Sequence, residues 1–257
     1  MSRSNEEWSL AVASKVASVL AEPAPAPAVA PTDLAPFIDH TLLKPDATVA
    51  DVDKLCDEAI EYKFKSCCIN GANVAQVARR LKESPVAVCA VIGFPLGASA
   101  TSVKAFETTQ CVQDGATEID MVINVGALRS KNYALVHSDI AACATQTRAA
   151  GAKLKVILET VFLTEEEIIA GSYIAAEAQA DFVKTCTGFQ GGGASTRHVQ
   201  LMKQAVAYKG GAVLVKASAG IRSLEKCVEM IQAGADRIGT SSGVAIMEGK
   251  KVAEGSY

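Results

Sequence analysis

The sequence predicts a (β/α)8 TIM barrel, in the α/β class, preceded by an N-terminal helical extension. Three observations carry that prediction. From residue 37 onward, short β-branched runs alternate with longer helical ones. Eight such units fit into about 220 residues, close to the ~250 typical of this barrel. The rival architecture, a doubly wound open sheet, calls for a G-x-G-x-x-G turn after the first strand, and "FIDHTLLKPDAT" contains none.

The elements follow in chain order. Residues 1–33 stand apart from the rest: "NEEWSLAVASKVASVL" places Trp8, Val12, Val16, Val19 and Leu20 at helical spacing, and "AEPAPAPAVAP" reads as a polyproline-II-like linker. The expected division is therefore an extension over 1–33 and a barrel domain with a C-terminal tail over 34–257. The helix is expected to pack on the barrel or on a neighbouring subunit. Glu6, Glu7 and Glu22 oppose an organelle transit peptide, which is poor in acids. The strand candidates are 37–43, 66–70, 86–93, 118–124, 153–160, 181–188, 212–220 and 236–242. Several of the helical runs between them open on Ser or Thr with an acid nearby and close on Gly, as helix caps require.

Composition excludes several classes. Of 257 residues, 49% are hydrophobic and 21% charged, which suits one large core. A net charge of −3 with scattered basic residues leaves no stripe for nucleic acid or anionic lipid. The 8 cysteines lack C-x-x-C spacing and fall mostly in apolar or helical settings, as expected of buried thiols in a reducing compartment. No apolar run approaches the ~20 residues of a membrane span, and the N-terminus lacks signal-peptide features, so a cytoplasmic protein is expected. His40 sits beside a first-strand acid, while His137 and His198 fall in helical runs and are expected to be solvated. No histidine pair has metal-ligand spacing, and no metal or cofactor is expected.

In a barrel of this kind, chemistry is done at the C-terminal ends of strands. Charged residues there are Asp39, Asp120, Lys155, Glu159, Lys184 and Lys216. Alternation puts Lys184 on the face of Phe182 and Cys186, and Lys216 on that of Leu214, so both can point inward. Mutual repulsion and burial both disfavour the charged form of two adjacent inward lysines, so one of them is expected to be neutral. Moving a lysine from ~10.4 to ~7 costs about 4.6 kcal/mol, hard to justify unless the amine does chemistry such as imine formation. Lys155 is expected to pair structurally with Glu159 or Asp39. A lone lysine in a barrel strand is more often paired with a carboxylate than catalytic, so on these grounds the cluster is open to either reading.

The opposite requirement, an anion site, appears at the end of the eighth strand. "RIGTSSGVAIM" runs glycine and hydroxyls into a helical start, and "SAGIRS" and "TGFQGGGAS" place glycines at two neighbouring strand ends. Backbone N–H groups in such loops can hold phosphate.

These segments, together with "FIDHTLLKPDAT", "VIGFPLGA", "EIDMVINVGAL" and "LKVILET", closely resemble the deoxyribose-phosphate aldolase family, class I aldolases of (β/α)8 fold, from about residue 34 to 245. The resemblance implies reversible cleavage of 2-deoxy-D-ribose 5-phosphate to D-glyceraldehyde 3-phosphate and acetaldehyde, without metal or organic cofactor. It implies Lys184 as the Schiff-base lysine, Lys216 as the second lysine whose charge acts on it, and Asp120 as the proton relay. It further implies a phosphate site at Gly188, Gly220, Gly239, Ser241 and Ser242, and first-strand contacts at Asp39 and Thr41. Tyr257, at the end of the tail, would assist proton transfer. Two departures stand out: Ala219 replaces a usual second glycine, which would crowd the phosphate loop, and Gly71 replaces a usual proline. The partners expected are the phosphorylated sugar and acetaldehyde, in a homodimer with no nucleic acid or membrane partner. The alternatives kept open are an inactive scaffold and a lysine-dependent aldolase of another phosphosugar.

Overall fold

The computed structural model describes residues 3–250; Tyr257 and its expected role lie outside the described residues. Eight parallel strands close on themselves in sequential order: β1 (Ile38–Leu42), β2 (Ser66–Asn70), β3 (Ala87–Ile92), β4 (Glu118–Val122), β5 (Lys153–Ile157), β6 (Phe182–Lys184), β7 (Leu214–Ser218) and β8 (Arg237–Thr240), which returns to β1. Parallel strands in such a barrel are covered on both faces, outside by helices and inside by one another. The residues of β4 are accordingly all buried.

The extension forms helix α1 (Asn5–Ala21). Its start is fixed by a reciprocal cap in which Ser4 Oγ accepts from the Glu7 N–H and Glu7 accepts from the Ser4 N–H. The outer ring continues with α2 (Val49–Glu61), α3 (Val74–Arg80), α4 (Thr101–Gln113), α5 (Val125–Arg129), α6 (Tyr133–Ala149), α7 (Glu165–Glu177), α8 (Thr196–Val206), α9 (Leu224–Gln232) and α10 (Gly243–Met247). The same capping box opens α2 at Thr48/Asp51 and α7 at Thr164/Glu167. Helix α1 lies across α6, α7 and α8, with Trp8, Val12 and Val19 buried beneath it. The linker that follows is tied down by the Ala28 N–H donating to the Gln232 carbonyl and Gln204 Nε2 donating to that of Pro23.

Two expectations are corrected here. The sixth strand is far shorter than 181–188, because the Thr185 hydroxyl takes over the pairing with β7: it accepts from the Ser218 N–H and donates to the Ser218 carbonyl. The chain beyond is thereby released to form the mouth of the barrel. His137 and His198 are half-buried rather than solvated; the ring of His137 lies 5.0 Å from that of Trp8.

Candidate active site

Strand register brings the charged residues together. Lys184 is level with Lys216, Lys216 with Arg237, and Asp120 with Lys155. Asp120 is the hub of the cluster. Its Oδ2 accepts from Lys184 Nζ at 2.6 Å and from Lys216 Nζ at 2.8 Å, while its Oδ1 accepts from Lys155 Nζ at 2.8 Å. Deeper in the barrel, Asp39 binds Lys216 through Oδ2 at 2.5 Å and Arg237 through Oδ1 at 2.6 Å, and accepts from Ser66 Oγ. Glu118 meets Lys155 at 2.6 Å and accepts from both terminal nitrogens of Arg237. Below these, Phe182 presents its ring to Arg237, 5.2 Å from the guanidinium carbon.

The electrostatics reverse one expectation. The two lysines do not simply repel, because Asp120 stands between them, and Lys216 also holds Asp39. Burial alone would lower the Lys216 pKa, but attraction to Asp120 and Asp39 prevails and raises it above the usual lysine range. Lys155 is raised in the same way, against burial, by Asp120, Cys89 and Glu118. Conversely, burial opposes the ionised carboxylates, yet Asp120 is pulled well below the usual range by Lys155, Lys184 and Lys216, and Asp39 by Lys216 and Arg237. Lys216 and Lys155 are thus fixed cations. They are also fully enclosed, whereas Lys184 retains 3% exposure, at the last position of β6 where the barrel opens.

Lys155 pairs with Glu118 and Asp120, not with Glu159, and Asp39 is its distant neighbour at 3.9 Å. Glu159 turns toward the neighbouring strand end instead. Its backbone sits at φ 57°, in the left-handed region, and its carboxylate accepts from the Thr187 hydroxyl at 2.5 Å and from the Thr187 N–H. It therefore anchors the loop that carries Gly188.

The anion-site residues divide into groups. Gly220, Gly239 and Ser241 line one crevice between the ends of β7 and β8, with Ala219 and Thr240. Gly188 belongs to the neighbouring β6 loop, whose Gly193 packs against the backbone of Ala219 and Gly220. Gly239 is needed for space: a Cβ there would fall 2.2 Å from Ser218 Oγ and 3.0 Å from Lys216 Cε. Ser242 is buried, and its N–H is already committed to Thr240 Oγ1 at 2.9 Å. Ala219 adopts φ 80°, a conformation suited to the glycine it replaces. Gly71 opens a short 3₁₀ turn with its α-carbon facing Cys111.

Thr41 lies at the rim, its hydroxyl donating to the Asp39 carbonyl. With Ser241 and Ser242 it borders a larger cavity of about 550 Å³ between the β1–α2 connection and α10. None of the three barrel lysines lines that cavity; all three gather instead at Asp120. His40 faces the same cavity and bonds Glu58 at 2.7 Å, away from Asp39. Among the described residues, Cys68, Cys89 and Asp120 form a convergent set of metal-type donors. Three ammonium groups already occupy the Asp120 oxygens, which makes the position hostile to a further cation.

Glu118, Arg237, Cys89, Thr240 and Glu159's partner Thr187 escaped the sequence reading. Glu118 and Arg237 were within reach of it. Each lies two residues before a selected one, Asp120 and Gly239, and so on the same strand face.

The comparisons with known proteins agree on one family. The family model of the DeoC/LacD aldolases matches residues 34–249. The deoxyribose-phosphate aldolase of Finegoldia magna is 52% identical over 217 residues, covering 84% of this chain and 100% of its own. That of Thermococcus kodakarensis is 53% identical over 219 residues, 84% of this chain and 96% of its own. Among solved structures, one described as a deoxyribose-phosphate aldolase from Coccidioides immitis superimposes with a TM-score of 0.92 at 43% identity, covering 96% of this chain and 98% of that one. The enzyme from Aeropyrum pernix, described as a unique tetramer, gives 0.78 at 33% identity, covering 92% and 95%.

Proposed function

The chain belongs to the DeoC/LacD family of aldolases, and on that premise we propose that it is a deoxyribose-phosphate aldolase, a carbon–carbon lyase. Its substrate is 2-deoxy-D-ribose 5-phosphate and its products are D-glyceraldehyde 3-phosphate and acetaldehyde. The observation that carries the mechanism is the sharing of Asp120 Oδ2 between Lys184 and Lys216.

Four cations, Lys155, Lys184, Lys216 and Arg237, face three carboxylates, Asp39, Glu118 and Asp120. One positive charge is unmatched. Lys155 and Lys216 are fully enclosed and held by the carboxylates, and Arg237 is a guanidinium at the start of β8, which leaves Lys184, at the end of β6 where the barrel opens, as the nucleophile. Its free amine attacks the C1 aldehyde of the open-chain sugar, and Asp120 relays the proton that lets water leave as the imine forms. The C3 hydroxyl gives its proton to the Asp120 relay, and the protonated imine accepts the electron pair of the breaking C2–C3 bond. D-Glyceraldehyde 3-phosphate departs, and the enamine is protonated at C2 and hydrolysed to acetaldehyde. Lys216 stays cationic and holds Asp120 in place.

The β7–β8 crevice takes the phosphate through the backbone of Gly220, Gly239 and Ser241, with Gly188 on the adjacent loop and Ser242 as a second layer behind Thr240. Asp39 orients Lys216, and Thr41 steadies the first strand. Tyr257 is proposed to assist protonation of the enamine. The reaction as written requires no metal or organic cofactor. We propose to divide the chain into an extension over 1–33 and a barrel domain with its tail over 34–257, and we expect a cytoplasmic homodimer. Among the described residues, no helix is long and apolar enough to cross a membrane.

The test is turnover: purified protein with 2-deoxy-D-ribose 5-phosphate should release acetaldehyde, read by NADH consumption with alcohol dehydrogenase. Failure to release it, with turnover of another phosphosugar, would replace the assigned substrate.

A further inference from the structure

Beside the Asp120 cluster, an apolar wall is built from Leu43, Cys68, Cys89, Val91 and Phe94. Its two cysteines are direct cross-strand neighbours, Cys68 on β2 level with Cys89 on β3, and both side chains are fully buried. Their sulfur atoms and an Asp120 oxygen all lie within 4.8 Å of one another. Adjacent strands run about 4.8 Å apart, inside the Cα window of a disulfide. Cys89 also touches the catalytic cluster, donating to Asp120 Oδ1 at 3.2 Å and accepting from Lys155 Nζ at 3.2 Å. The aldolase mechanism uses neither thiol.

We propose that Cys68 and Cys89 form a reversible oxidation site, in which a peroxide converts the pair to a disulfide and switches the adjacent Asp120 cluster off. The Cys68 sulfur, as thiolate, attacks one peroxide oxygen. The O–O bond breaks, hydroxide leaves, and Cys68 becomes a sulfenic acid. Cys89 sulfur then attacks Cys68 sulfur, the S–OH bond breaks, and the departing hydroxide takes the Cys89 proton as water. Overall, two thiols and one hydrogen peroxide give one disulfide and two waters. A dithiol reductant reverses the bond.

Cys68 is suited to go first. Its contact with the Cys89 sulfur and the nearby Lys216 charge outweigh burial and lower its pKa, whereas burial and its neighbours push that of Cys89 up. Oxidation removes the thiol donor from Asp120 Oδ1, the sulfur contact from Lys155, and some freedom from the β2–β3 pair. The effect on turnover rests on the aldolase reading, but formation of the bond does not.

A second sulfur pair makes the test discriminating. Cys67 faces outward from β2 beside Leu55, and Cys56 interacts with it from α2. The experiment treats the full-length protein with hydrogen peroxide, blocks free thiols, and digests with trypsin without reduction. The expected product links peptide 66–79 to peptide 83–104 and is lighter than their sum by two hydrogens. Activity should fall by about tenfold or more as this product accumulates, as loss of a proton-relaying group would cause, and dithiothreitol should restore it. Cys68→Ala should keep basal activity and lose the dithiothreitol-reversible inactivation. A link from 66–79 to 55–63, irreversible sulfinic or sulfonic acids alone, or unchanged reversible inactivation in Cys68→Ala would each overturn the proposal. Without aldolase turnover, the linked peptide still decides whether the bond forms.

Discussion

Two regions of this molecule bury lysine completely, and they differ in how the charge is matched. In the helical layer, Lys104 on α4 meets Asp139 on α6 at 2.6 Å and donates to the Val122 carbonyl. The packing over its methylenes is tight: the missing Cβ of Gly93 would lie 3.1 Å from Lys104 Cε. One cation answers one carboxylate, and the pair is closed. In the barrel, Lys155, Lys184, Lys216 and Arg237 share three carboxylates, one fewer than the cations, and Lys184 sits where the barrel opens. Burial therefore does not mark a lysine for chemistry. The feature that we propose marks Lys184 is its place at an opening, in a cluster with one more cation than carboxylate.

That contrast can be broken at several points. The largest effect is expected for Asp120→Asn, which removes the charge shared by three lysines. Its kcat should fall by about 10²–10⁴-fold, read by steady-state kinetics. Loss of the buried carboxylate should also lower the denaturation midpoint. Lys104→Met sharpens the other side. Stranding Asp139 in the helical layer should cost about 3–5 kcal/mol in urea unfolding, with kcat per folded molecule unchanged. Lys104→Met/Asp139→Leu should recover much of that loss, since a buried pair can be replaced by apolar packing.

The pH dependence of stability should expose the barrel cluster. Asp39, Glu118 and Asp120 all titrate lower in the folded protein than in the unfolded chain. The unfolded chain consequently binds more protons as pH falls, and their contribution, complete above about pH 5, should drain away from there downward. Thermal melts from pH 7 to pH 3 should show this slope, shallower in Asp120→Asn. The smallest effect is expected for Ala219→Gly. Relieving φ 80° should stabilise by about 1 kcal/mol and lower KM for the phosphorylated substrate without changing kcat.

The alternation of strand and helix signals made the barrel legible, because each of its strands has to cross the same core and each helix must return over it. The lysines were legible for a related reason. Charge in an apolar strand run is costly enough that Lys184 and Lys216 stand out. Their pairing was harder to see. Asp120 stood out with them as a third strand-end charge, but repulsion was inferred where its shared carboxylate instead makes Lys216 a fixed cation. Glu159 was misread because its left-handed backbone redirects the side chain to Thr187, which strand alternation cannot foresee. The end of β6 depended on one hydroxyl, that of Thr185, replacing main-chain pairing.

The most direct test of the central claim, that Lys184 alone among the buried lysines supplies the reactive amine, is borohydride reduction in the presence of 2-deoxy-D-ribose 5-phosphate, followed by peptide mass spectrometry. The account predicts a reduced adduct on Lys184, absent from Lys184→Leu, with Lys104, Lys155 and Lys216 unmodified. An adduct on Lys216, or trapping that survives in Lys184→Leu, would contradict it.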